Sequence, residues 1–95
     1  MGIQGLFMNT VDRIRRMLAT SLSPEHIEVI DESGKHEGHK GYIPGKTTHV
    51  RVHIVAETFR GKGRIERHRL VNDLLASEIA DGLHALAIEA RAPGE

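Results

Sequence analysis

From Thr48 to Glu57 the chain alternates strictly, with Val50, Val52, Ile54 and Ala56 on one parity and His49, Arg51, His53 and Val55 on the other. Successive side chains of a strand point to opposite faces, so the segment predicts a strand with one apolar and one polar face. A sheet built around it needs cover on one side only. Two stretches of helical period can supply that cover. From Asn9, the residues Val11, Ile14, Met17, Leu18 and Leu22 recur at steps of three and four with Arg13, Arg15 and Arg16 between them, which predicts an amphipathic helix over about 9–21. Asn9 or Thr10 can accept from the free amides of its first turn, Asp12 suits its positive end and Pro24 stops it. Ile65, Leu70, Val71, Leu74, Leu75 and Ile79 form a second stripe, predicting a helix over about 64–77 with a break before Asp81-Gly82.

Two shorter runs complete the set. His26 to Asp31, carrying Ile27, Val29 and Ile30, reads as a strand. After His84, Leu86, Ile88 and Ala90 alternate with Ala85, Ala87 and Glu89 until Pro93 ends the run. Residues 32–47 hold four glycines, one proline, two histidines and three lysines with no period of either kind, and form a long loop of the sort that carries function. The order is α-β-β-α-β, an α+β domain with helices on one face of a three-stranded sheet. With 95 residues there is room for one core and none for a deep enclosed active site. Residues 1–8 read as an N-terminal extension, 9–92 as the domain and 93–95 as a tail. No apolar run reaches the roughly 18 residues of a membrane span, and the start lacks the pattern of a signal peptide, so a cytoplasmic protein is expected.

Cysteine is absent, which removes disulfides, thiol nucleophiles and thiolate ligands together. Against that stand seven histidines, at 26, 36, 39, 49, 53, 68 and 84, far above the usual share. Imidazole is a borderline ligand that suits iron and zinc and costs little to deprotonate at neutral pH. His36 and His39 sit among Gly34, Gly38 and Gly41, where the chain can bend until a ring nitrogen meets a metal, and His84 stands at the mouth of the last strand. His49 and His53 share the polar strand face with Arg51 as surface or supporting groups, and His26 and His68 read as structural. Catalysis is not expected. His36-Glu37-Gly38-His39 is not the helical His-Glu-x-x-His pair of a zinc hydrolase, and its glycine argues against a rigid ligand frame.

Four places in register resemble the BolA-like family: Glu32-Ser33 with His36, Thr48-His49, Phe59-Arg60-Gly61 with Arg67-His68-Arg69, and His84-Ala85-Leu86. They span roughly residues 9–92 on the expected order of elements. The resemblance implies a fold like the class II KH domain and partnership with a monothiol glutaredoxin in handling a [2Fe-2S] cluster. It also implies that His36 and His84 bind one iron while the partner's cysteine and a glutathione thiol bind the other, with His39 as a further loop candidate. Such clusters are ordinarily held by thiolates, so a chain offering only nitrogen has to borrow sulfur. Some bacterial members of the family act as DNA-binding regulators of morphology and stress responses.

That second role has a candidate surface. Arg60, Lys62, Arg64, Arg67 and Arg69 face one acid, Glu66, giving residues 60–69 a local charge of +4 in a chain of net charge zero. A basic glycine turn leading into a helix suits phosphate or an acidic partner. Gly61-Lys62-Gly63-Arg64 is not the GxxG loop of KH domains, and three aromatics leave little for bases to stack on. Duplex DNA read by the second helix is therefore the nucleic-acid alternative.

Overall fold

The computed structural model describes residues 8–36 and 46–95. Helix α1 (Thr10–Leu22) begins where Asn9 Oδ1 accepts from the Asp12 amide at 2.8 Å. It ends where Ser23 turns left-handed at φ 44° ahead of Pro24. Strand β1 (His26–Asp31) has the predicted bounds, and β2 (His49–Val55) is slightly shorter than expected because Glu57–Phe59 turns as a 3-10 segment. The loop after β1 opens on another 3-10 turn, Ser33–His36. The rest of that loop, including His39, lies outside the described residues, as does most of the N-terminal extension.

The second helical stripe is two helices. Helix α2 (Arg64–Leu74) and helix α3 (Ala76–Ala80) are separated at Leu75, whose ψ of 16° leaves the helical region. The break thus comes earlier than expected, and helical structure runs on to Ala80. At the start of α2, Glu66 accepts from the Gly63 amide at 3.2 Å, relieving one unpaired donor of the first turn. Strand β3 (Ala85–Arg91) follows.

The sheet has the order β1-β2-β3, with β1 and β2 antiparallel and β2 and β3 parallel. Its apolar face, formed by Val29, Val50, Val52, Ile54 and Ile88, packs into one cluster with Ile14, Leu18 and Leu22 of α1 and Val71 of α2, together with Leu75 and Phe59. The other face carries Glu28, Arg51, His53 and Glu89 and is partly open to solvent. Arg13 of α1 donates to both carboxylate oxygens of Glu78 in α3 at 2.9 and 3.0 Å, which fixes the two helices relative to one another. Ile65 and Ile79, counted in the core stripe, are 73% and 41% exposed. The second stripe buries only its middle, around Val71 and Leu75.

Candidate functional site

One end of the sheet gathers the starts of β2 and β3 and the base of the histidine loop. Asp31, the last residue of β1, accepts from the Ser33 amide at 2.9 Å and from Thr47 Oγ1 at 3.2 Å, so one carboxylate holds both ends of the loop. Burial pushes that carboxyl up, but the bonds from Ser33 and Thr47 outweigh it and hold it below its ordinary range. Ser33 Oγ in turn accepts from the amides of Thr48 and His49 at 2.9 and 3.2 Å. Beside it Glu32 accepts from Arg51 and Lys35, each at 3.1 Å, and these cations keep its carboxyl low. Residues 32 and 33 are thus tied to the start of β2 on both sides.

The Thr48 carbonyl accepts from the amides of both His84 and Ala85, at 2.7 and 3.0 Å, and so fastens the His84 turn to the entry of β2. The register then pairs His49 with Ala85. His84 is exposed, while His49 is buried at 7% exposure with its Nδ1 2.9 Å from Thr48 Oγ1. Their rings are tilted by 53° with centroids 5.3 Å apart. The donor set at this end is imidazole nitrogen, which suits iron, and a [2Fe-2S] cluster held here would take its thiolates from elsewhere. His36 is the last residue of the 3-10 turn that opens the loop. Among the described residues no group of three His, Asp or Glu is arranged to hold a metal.

His49 keeps the strand parity it shares with Arg51 and His53, but unlike them it is buried, with its ring against His84. The other histidines are elsewhere. His53 Nδ1 lies 2.6 Å from Glu89 Oε2 on the open sheet face, which agrees with a surface role. His26, read as structural, is exposed at the start of β1, and His68 is half-buried on α2.

The basic segment divides in two. Arg67 donates to the carbonyls of Lys62 and Ala90 at 2.8 and 3.0 Å and to both oxygens of Glu95 at 2.6 and 2.8 Å. Arg60 pairs with Glu57 and donates to the Pro93 carbonyl at 2.8 Å. Both therefore clasp residues 93–95 to the domain. Arg64 and Arg69 are exposed and Lys62 is half-buried, and none of the three is ion-paired among the described residues.

The clasp carries a pH signature. The bond from Arg67, joined by the Ala92 amide, holds the Glu95 carboxyl down at about 2, against 4.5 for the free group. A depressed folded value means that the stabilisation is complete above the unfolded pKa and is lost as pH falls from about 4.5 toward 2. Glu95→Gln is expected to lower the melting temperature slightly at neutral pH, with the difference from the parent vanishing near pH 2. Thermal melts of both proteins across that range check it.

Comparison with known proteins bears on the family and the fold. A family model described as BolA-like protein matches residues 18–95. The chain is 46% identical over 89 residues to an uncharacterized protein in the cobS 5' region of Sinorhizobium sp, covering 93% of this chain and 96% of that one. It is 45% identical over 82 residues to BolA-like protein 1 of Homo sapiens, covering 86% of this chain but only 57% of the human protein. It is 42% identical over 78 residues to the DNA-binding transcriptional regulator BolA of Vibrio cholerae, covering 81% and 69% of the two chains. Among solved structures, the BolA domain of SufE1 from Arabidopsis thaliana superposes with a TM-score of 0.81 at 41% identity, covering 90% of this chain and 95% of that domain. No helix among the described residues is long and apolar enough to cross a membrane. Fold, family model and relatives agree, and the chain belongs to the BolA-like family.

Proposed function

We propose that this protein is a non-enzymatic iron-sulfur accessory protein that binds a monothiol glutaredoxin and shares a bridging [2Fe-2S] cluster with it. The observation that carries the reading is the exposed His84, fastened through Thr48 to the base of the histidine loop. His84 is the fixed ligand in this account and His36 the second, with His39 and His49 as the candidates that would displace His36. The chain has no cysteine, so the partner's cysteine and a glutathione thiol supply sulfur to the other iron. Imidazole in place of thiolate removes negative charge from the cluster and raises its reduction potential. The protein's own contribution in this reading is to present imidazole nitrogen beside the His84 turn. Co-expression with a monothiol glutaredoxin tests the reading: a coloured one-to-one complex is expected. A cluster left bridging two glutaredoxins would refute it.

A second reading has its own support. Arg64 and Arg69 project from α2 beside Lys62 without ion-pair partners among the described residues. A relative 42% identical is named a DNA-binding transcriptional regulator. Were these three side chains to contact phosphates, affinity would fall with salt by about 0.9 in log-log slope for each contact. The net charge of zero gives little long-range attraction, so weak and poorly selective duplex binding is expected. Lys62→Glu with Arg64→Glu should abolish it and spare cluster binding. Tight, sequence-discriminating binding at physiological salt, lost in that double variant, would make regulation the primary function.

A further inference from the structure

Lys46 re-enters the described chain three residues before His49 and lays its side chain across the turn that delivers His84. A Cβ built on Gly82 would stand 2.6 Å from Lys46 Nζ and 2.7 Å from its Cε, so the side chain occupies the space that any other residue at 82 would need. Gly82 has φ +124°, a conformation that favours glycine on backbone grounds as well. The entry of β2 and the His84 turn are joined by the Thr48 carbonyl, and Lys46 lies over Gly82 beside that joint. Lys46 is exposed, and none of the described carboxylates lies within ion-pair distance of it. A cation without an ion-pair partner among the described residues is therefore held at the same end of the sheet as His49 and His84.

We infer that Lys46 is the anion-recognising arm of the histidine site, drawing in a thiolate-ligated [2Fe-2S] cluster and stabilising the charge it carries once bound. The inference rests on the function proposed above. A [2Fe-2S] core held by thiolates is net negative, and a chain whose only strong iron ligands are neutral imidazoles needs a separate group to complement that charge. A cation near the cluster also favours the reduced, more negative form. Lys46 acts through charge rather than ligation, so its influence should scale with the charge at position 46.

The test uses the full chain and its Lys46→Arg, Lys46→Met and Lys46→Glu variants. In the isolated chain, Lys46→Met should shift the amide resonance of Gly82, with melting temperature unchanged. The probe is a [2Fe-2S] core held by glutathione thiolates, titrated into each protein. Lys46→Glu is expected to bind about tenfold more weakly than the parent at low salt, Lys46→Met in between and Lys46→Arg like the parent, the differences shrinking as salt is raised. In the glutaredoxin complex the reduction potential should fall in the same order. If the parent accepts no cluster from either source, the proposed function itself fails. If the parent binds and the four proteins agree in affinity, salt dependence and potential, the function stands and the role of Lys46 is refuted.

Discussion

Replacing His84 with Ala is expected to abolish the shared cluster while leaving the domain folded. His84 is exposed, and its tie to the fold runs through its backbone amide, which the substitution keeps. The loss therefore falls on ligation. Visible absorption of the co-purified complex should disappear and glutaredoxin should return to its own cluster-bridged form. His36→Ala should alter the visible circular dichroism next most strongly. His26→Ala and His53→Ala should do little, because these side chains sit on the open sheet face away from the mouth of the loop. A larger effect of His39→Ala or His49→Ala than of His36→Ala would reassign the second ligand. Equal and negligible effects throughout would mean that the histidines are bystanders.

Phe59→Ala should be the most damaging single change to stability. Phe59 is fully buried and is the one Phe, Tyr or Trp among the described residues. It ends the 3-10 turn after β2, with its amide donating to the Ala56 carbonyl at 3.1 Å, and so packs as a wedge within the cluster of sheet and helix residues. Truncating a buried Phe to Ala typically costs about 3–5 kcal/mol, combining lost transfer energy with the cavity left behind. Domains of this kind have roughly 5–15 kcal/mol in total, so the variant should melt far below the parent and sit close to unfolding at growth temperature. Phe59→Leu, which fills most of the same space, should recover much of the loss. Denaturant unfolding of the three proteins measures both differences.

Local signals set most of the architecture. Asn9 and Pro24 bracket α1 because a side-chain cap and a missing amide act within a single turn. The alternation through His49–Val55 fixes which face of the central strand is buried, since a slip of one residue would turn every apolar side chain to water. The misplaced features depend on distant partners. Ile65 and Ile79 have the period of a buried stripe, but the sheet is reached only by the middle of the paired helices, around Val71 and Leu75. His49 has the parity of an exposed residue yet is buried, and its amide is held by Ser33, sixteen residues earlier. Arg67 lies in a basic run and is occupied by Ala90 and Glu95, which reach it from 23 and 28 residues away. The candidate site shows the same division. The absence of cysteine and the richness in histidine are read from composition and the borrowed sulfur only from the family resemblance, whereas the approach of His49 to His84 comes from the register of two strands.

The central claim is that nitrogen from this chain binds iron. Pulsed electron paramagnetic resonance of the reduced heterocomplex, with only this chain carrying ¹⁵N-labelled histidine, tests it most directly. The account predicts strong ¹⁵N couplings from two imidazoles on one iron, with one of them missing in His84→Ala if any cluster remains. A reduced cluster with no histidine nitrogen coupling, held by thiolates alone, would contradict it.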